Sequence, residues 1–464
     1  MSALHDLSAA EQIAALRSRD LAPADLTEHY LGRIAEQNDR LGAFVEVTAG
    51  AARARAAALT APDGPLWGLP LADKDLTARA GVPTRYGSRA FADFVPEHSD
   101  PLALALDAAG AISLGKTSTP EFGLTGYTET QIAPPARDPW DPEHGAGGSS
   151  GGAAAAVAAG LLPAAPASDG GGSIRIPSAT VGVVGLKPSR GRLPIGSGLD
   201  SPGGLSVTGP IARSAHDAAL LLDALLDAVP YSYATRAPGS GPFADAAVAD
   251  APSMLVGVTT VSPWDDAMDI EVHGSAHDAV AHAIRMLDAA GHAVDDASWS
   301  PAPYADMFMT MWRASAARIP VPDDGLDRVQ PITAWLAREG RALPAERVLG
   351  AYSAATAFER ATIDAFSPFD AVLTPALALP PRPIGWHDSD DAERAFAQQC
   401  QYAPYSSFVN VAGLPALTVP VTTDPSGHPV SVQLIGRPGG EARILALATV
   451  LERARGPLPH PPGW

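Results

Sequence analysis

Between Gly147 and Pro177 the chain reads GGSSGGAAAAVAAGLLPAAPASDGGGSIRIP, two glycine-serine clusters separated by an alanine-rich segment of helical character. Glycine is kept where backbone turns tightly or presses against a ligand, because elsewhere its conformational freedom costs stability. The clusters Gly147–Gly152 and Asp169–Ser173 both carry serine hydroxyls, so two stretches of backbone are expected to converge on one small reactive centre. A flexible Gly/Ser linker would not hold an apolar helix between its glycines, nor run on into Ile174-Arg175-Ile176-Pro177. The stretch reads as a serine-based active site.

The rest of the chain narrows the class of protein around that site. Of 464 residues, 46% are hydrophobic and only 6% aromatic, which gives a globular core built largely from Ala, Val and Leu. The length allows two or three domains, although large α/β enzymes often stay as one unit. A net charge of −19 removes the electrostatic footprint that nucleic acid requires. Cys400 is the single cysteine, so no intramolecular disulfide forms, and a reducing compartment fits. Its neighbours Gln398, Gln399 and Gln401 offer no His or Gly signature, which makes it a buried or idle thiol. The N-terminus MSALHDLSAAEQ has neither a basic lead nor an apolar run, and no long uncharged apolar window exists outside the Gly/Pro-punctuated stretch. A soluble, cytoplasmic protein without a membrane span is expected.

In chain order, Ser8-Ala9-Ala10-Glu11 reads as a capping box, and Pro23 opens an amphipathic helix with Leu26, Tyr30, Leu31 and Ile34 on one face. Residues 1–60 are expected to form a helical arm with no chemistry of their own. Residues 67–77, WGLPLADKDLT, read as a buried strand; alternation turns Lys74 away from both Asp73 and Asp75. Further strands are expected over Ala111–Leu114, Val181–Leu186, around Ile211, and over Met254–Thr259, Asp370–Pro375, Val409–Pro420 and Val430–Ile435. Helices are expected over Pro101–Ala109 and from Ser214 or Ala215 to Leu226, and a surface excursion near 230–250. Residues 300–400 have the least regular character and read as a variable lid. Alternating strands and helices make the fold α/β.

Three formal pattern matches have little support as the motifs they spell: the phosphate loop is set aside, the nucleophile elbow is weakened without being excluded, and the histidines read as a helix face. Gly110 to Thr117 fits the phosphate-loop pattern, but it has a helix before it and a strand inside the supposed loop. Gly147 to Gly151 fits the G-x-S-x-G elbow, yet the proline-broken run Arg137–His144 stands where that motif needs a strand. His273, His277 and His282 lie on or near one helix without a third ligand or carboxylate, so a polar helix face is the reading and no metal is expected.

Taken together, the motifs resemble the amidase signature family. The matching pieces are Gly68 to Asp75, Gly115-Lys116-Thr117 with Pro120-Glu121-Phe122, Gly147 to Gly152, Asp169 to Pro177, Gly185-Leu186-Lys187-Pro188, Asn410 to Ala416, and Gly427-His428-Pro429 leading to Gln433. They stand in family order from about 65 to 437. The resemblance implies a single domain over 1–464 with a central mixed β-sheet flanked by helices, a catalytic core over 65–225 and a variable pocket or lid over 300–405. It also implies a lysine base at Lys74, a bridging serine at Ser149 that follows a cis peptide, and a nucleophile at Ser173. Gly170 stands where the family often has a side chain, which loosens the loop.

The residues themselves suggest the same chemistry. A serine hydroxyl is a poor nucleophile until a base takes its proton. No histidine lies in either cluster, whereas a lysine desolvated among Leu69, Leu71, Ala72 and Leu76 can be neutral. The expected mechanism is attack by Ser173, a proton relay through Ser149 to Lys74, and an oxyanion held by the amides of Gly170, Gly171, Gly172 and Ser173. Ser150 supports the cluster; Asp169 and Arg175 form an ion pair that fixes the loop; Lys116 and Lys187 are structural. The expectation is an amidohydrolase, without cofactor, for a small amide, anilide, ester, carbamate or oligoamide. The glutamine-hydrolysing A subunit of a tRNA-dependent amidotransferase is the alternative, and a non-catalytic scaffold the third reading. Pocket candidates are Tyr127, Trp140, Phe308, Met311, Trp312 and Tyr402. Monomer and homodimer both remain open.

Overall fold

A computed structural model describes residues 3–193, 202–228, 237–239 and 241–464. Local signals set the first helices. The Ser8 hydroxyl accepts from the Glu11 amide at 3.1 Å, and the Glu11 carboxylate accepts from the Ser8 amide at 2.7 Å, which caps Ala9–Ser18. Pro23 occupies the first turn of Pro23–Leu41, whose Leu26, Tyr30, Leu31 and Ile34 are all buried, and Gly42 ends it at φ +59°.

Among the described residues eleven strands form two sheets. β1 (Phe44–Val47), β2 (Pro70–Lys74) and β3 (Ile112–Thr117) make a small sheet in the order β1-β3-β2, with β2 and β3 parallel. The large sheet contains β4 (Ala164–Asp169), β5 (Val184–Lys187), β6 (Val207–Ala212), β7 (Leu255–Val258), β8 (Ala293–Asp296), β9 (Ala371–Pro375), β10 (Ala416–Thr423) and β11 (Pro429–Gly436). Its order is β4-β6-β5-β10-β11-β9-β7-β8, antiparallel from β4 to β9 and parallel from β9 to β8. Alternation divides its side chains between two cores. Leu417, Val419, Val421 and Leu434 join a core with the helices Ala215–Asp227, Gly274–Ala289 and Glu441–Arg455. Ala416 and Ile435 join another, with the helices Ala305–Ala316, Pro331–Arg341 and Ala345–Phe366.

The alanine-rich helix Gly151–Ala158 is wholly buried, in a third cluster with the N-terminal helices and β3 and β4. Short side chains let its backbone pack close to its neighbours, so glycine and alanine fill a segment that larger residues would push apart. Both serine clusters are therefore tied to rigid elements: Ser149 precedes this helix, and Ser173 lies between β4 and the helix Arg175–Val181.

Several expectations differ from the structure. Residues 300–400 are largely regular, with four helices including Ala392–Tyr402, because Leu, Ala, Phe and Trp recur there at helical spacing. Val409 belongs to a short helix, Ser407–Val411, and the strand begins only at Ala416; an apolar run this short reads equally as helix or strand. Val181 ends a helix, and its strand begins at Val184. Residues 229–236 and 240 of the expected surface excursion lie outside the described residues; Phe243–Ala246 form a short helix.

Candidate active site

Lys74 is the last residue of β2, a strand buried along its whole length. Its Nζ donates to Ser149 Oγ at 2.7 Å and to Ser168 Oγ at 3.3 Å. The flanking carboxylates find partners elsewhere. Asp73 accepts from Arg79 at 2.7 Å and from Ser113 at 2.9 Å, while Asp75 accepts from the Arg85 amide at 3.2 Å and faces Lys116 across 4.0 Å. Burial pushes the Lys74 ammonium from 10.5 down to about 7, against the opposing pull of the Asp169 carboxylate. Lys116 is fully buried, and its Nζ donates to the Thr77 carbonyl and, at 3.0 Å, to Thr84 Oγ1, which leaves no amide-lined phosphate loop there.

The Gly148–Ser149 peptide is cis. A Cβ on Gly148 would stand 2.7 Å from the Tyr127 amide nitrogen, so only glycine fits beside that backbone. The second cluster meets the first through backbone: the Ser150 amide donates to the Ser173 carbonyl at 3.2 Å, and Ser150 Oγ donates to the Ser168 carbonyl at 3.4 Å.

The loop that carries Ser173 is set by Asp169 and Arg175. The Asp169 carboxylate accepts from the amides of Gly172 (2.8 Å) and Ile174 (3.1 Å), and from Arg175 Nε (3.0 Å) and Nη2 (2.9 Å). Arg175 also donates to the Ser406 carbonyl, Gln433 Oε1 and Asn410 Oδ1, at 2.9, 2.8 and 2.6 Å. Every guanidinium N–H thus has a partner. Burial alone would raise Asp169, but the Arg175 guanidinium, aided by Lys187 and Asn410, holds it well below the usual carboxylate range. Lys187 is pushed down to about 7 by burial and by Arg175; its Nζ donates to the Pro188 carbonyl at 2.9 Å, away from the serines.

Two features of the loop change the sequence reading. The Gly172 amide points to Asp169, so it is withdrawn from the expected oxyanion set; its φ of +130° and a Cβ that would sit 2.3 Å from Ser406 Oγ make this glycine a steric requirement. The amides of Gly170, Gly171 and Ser173 have no acceptor among the described residues. A side chain at Gly170 would meet Trp312 at an ordinary 3.6 Å, so the missing Cβ there widens the cleft without being demanded by the backbone.

Ser173 lies at the junction of two cavities. One also contains Gly171, Trp264, Phe308, Phe396 and Ser407; the other contains Ser149, Ser168, Gly170, Tyr86 and Ser206; Trp312 borders both. Of the apolar pocket candidates, Phe308 and Trp312 line these spaces. Tyr127 stacks on His387 at 3.7 Å, Trp140 donates to the Val181 carbonyl at 2.9 Å, Tyr402 shares a hydrogen bond with Thr180, and Met311 belongs to the core. Sequence reasoning missed Ser168, the next-to-last residue of β4, which carries no signal of its own, and Asn410 and Gln433, which lay in recognised motifs without an assigned role. His273 caps the helix that carries His277 and His282, and no group of three or more His, Cys, Asp or Glu converges among the described residues. Among them, no helix is long and apolar enough to cross a membrane.

A mixed α/β fold with a serine-lined cleft over a buried lysine defines a class of hydrolytic enzyme, and comparison with known proteins gives the family. The family model described as Amidase matches residues 25–445. A "Putative amidase AmiB2" of Mycobacterium tuberculosis is 36% identical over 460 residues, covering 95% of this chain and 96% of the relative. A "Putative amidase" of Synechocystis is 32% identical over 465 residues, covering 96% and 88%. The structure of 6-aminohexanoate cyclic dimer hydrolase complexed with substrate superposes with a TM-score of 0.90 at 26% identity, over 99% of each chain. A bacterial aryl acylamidase of the amidase signature family superposes with a TM-score of 0.84 at 25% identity, over 98% of this chain and 97% of that one. The chain belongs to the amidase family.

Proposed function

We propose that this amidase cleaves small-molecule amides through an acyl-enzyme on Ser173, with Ser149 as proton relay and Lys74 as base. The observation that carries the reading is the 2.7 Å hydrogen bond from a buried Lys74 Nζ to Ser149 Oγ, beside a cavity that Ser149 shares with Ser173. Neutral Lys74 draws the Ser149 proton as Ser149 takes that of Ser173, and the Ser173 oxygen bonds to the substrate carbonyl carbon. The amides of Gly170, Gly171 and Ser173, without an acceptor among the described residues, receive the developing oxyanion; one such donor is worth ~10²–10³ in rate. The proton returns through Ser149 to the leaving nitrogen, the C–N bond breaks, and water releases the acyl group by the same path. Asp169 and Arg175 act by fixing the loop, and Ser150 by tying the two clusters together.

The test is hydrolysis of a simple anilide by wild type, Ser173→Ala, Ser149→Ala and Lys74→Ala, together with covalent labelling by a fluorophosphonate. Loss of turnover in all three variants, with labelling lost in Ser173→Ala, is expected. Near wild-type turnover by Ser173→Ala would show that the nucleophile is another residue. Hydrolysis by the isolated chain, without a co-purifying subunit, also separates this reading from a glutamine-hydrolysing amidotransferase subunit.

A further inference from the structure

The two cavities at Ser173 differ in a way that assigns the halves of the substrate, given the serine mechanism proposed above. Ser149, which must return a proton to the departing nitrogen, borders only the cavity with Ser168, Gly170, Tyr86 and Ser206. The leaving amine therefore belongs on that side. The acyl group, held at the Ser173 oxygen, is left with the Gly171 side.

That acyl cavity has aromatic walls. Phe308 stacks on Trp312 with centroids 5.5 Å apart, and Trp264 meets Phe308 edge-on at 5.6 Å, giving a slot that suits a flat apolar group. Two polar side chains on its lining have hydrogens to give. Ser407 Oγ accepts from the Tyr304 hydroxyl at 2.8 Å and from Trp264 Nε1 at 3.2 Å, so both lone pairs are engaged while its own proton has no acceptor among the described residues. Gln399 Oε1 accepts from the Gly126 amide at 2.8 Å, which fixes the side-chain orientation and leaves its NH₂ without an acceptor among them. No Asp, Glu, Lys or Arg is among the described residues that line either cavity. A carboxylate or ammonium on the acyl group would be desolvated there without a counter-charge.

We infer that the Gly171-side cavity takes an uncharged aromatic acyl group bearing a hydrogen-bond acceptor, with Ser407 and Gln399 as the residues that recognise it. Glutamine, which carries a carboxylate and an ammonium on its acyl half, does not fit this site.

The experiment uses 4-nitroanilides of phenylacetic acid carrying an acetyl, isopropyl or carboxylate group at the ring's 4-position, three groups of nearly equal size. In wild type, kcat/KM for the acetyl compound is expected to exceed that for isopropyl by about ten-fold, the factor one uncharged hydrogen bond supports. It should exceed that for the carboxylate by about 100-fold or more, since the charge is buried unpaired. Ser407→Ala and Gln399→Leu should each shrink the acetyl-to-isopropyl ratio towards one. They should leave unchanged the ratios within a mirror series in which the same groups are placed on the aniline of a constant phenylacetyl substrate. Equal turnover of the carboxylate compound, a Ser407→Ala effect confined to the aniline series, or no turnover of any compound by enzyme that labels with fluorophosphonate would each overturn the assignment. Wild type that fails to label at Ser173 overturns instead the serine mechanism on which the assignment rests.

Discussion

The shifted Lys74 ammonium ties catalysis to pH and to stability at once. Moving an amine from 10.5 to about 7 corresponds to about 5 kcal/mol of differential interaction at about 1.4 kcal/mol per unit. If kcat/KM follows the neutral fraction, it rises ten-fold per pH unit on the acid side, is half-maximal near pH 7, and at pH 5 lies about 100-fold below its plateau. The folded-state value is below the unfolded one, so folding is penalised wherever the unfolded amine is protonated. The penalty is absent above about pH 10.5, grows as pH falls, and is complete below about 7. Lys74→Met should therefore abolish turnover yet gain roughly 2–5 kcal/mol of stability at pH 7, with the gain narrowing towards pH 10. Lys187 also lies near 7 but among the described residues its Nζ bonds only the Pro188 carbonyl, so Lys187→Met should keep the acid limb. The assays are initial rates on an anilide from pH 5 to 9 and denaturant melts of wild type and Lys74→Met. A flat rate profile with chemistry limiting, or a Lys74→Met protein less stable than wild type at pH 7, would refute the reasoning.

Gly172→Ala places a Cβ 2.3 Å from Ser406 Oγ at a φ of +130°; overpacking and backbone strain together should cost about 2–5 kcal/mol, read as a lower melting temperature with turnover strongly reduced. Asp169→Asn leaves the buried Arg175 without its counter-charge, and a loss of about 3–5 kcal/mol is expected from denaturant unfolding. Any activity that survives should have its acid limb moved to lower pH, because Asp169 is the charge that raises Lys74. His428 Nε2 pairs with buried Asp138 at 2.6 Å; burial opposes protonation, but the carboxylate raises the imidazole above 6.5. Burial raises Asp138 as well, so the pair persists only while that carboxylate stays ionised; the imidazole's share is present just below 6.5 and lost as pH rises through its folded value, so His428→Gln should destabilise more at pH 6 than at pH 9 in paired melts.

Much of the site could be read in the chain because each part has an unambiguous local cause. Glycines at Gly148 and Gly172 mark backbone that tolerates no Cβ, and Lys74 ends a buried strand whose alternation separates it from Asp73, while Asp75 lies just past the strand with partners of its own. Glycine content alone could not tell which amide faces the cleft: the Gly172 N–H turns to Asp169, a choice made by the folded loop. Ser168, Ser407 and Gln399 were invisible for a different reason. Serine and glutamine are common residues, and only tertiary packing decides whether their polar atoms meet a partner or a cavity. The helices of 300–400 were hidden by the prolines and glycines between them, and Ser407–Val411 by being too short to show a period.

The guanidinium of Arg175 is anchored by acceptors at residues 406, 410 and 433. A ribosome that has finished the first 400 residues has already made the lysine and both serines, yet none of those late anchors. Such a chain lacks three of the acceptors that hold the Arg175 guanidinium, so the loop carrying Ser173 gains its full set of hydrogen bonds only from residues that lie 231, 235 and 258 positions further along than Arg175.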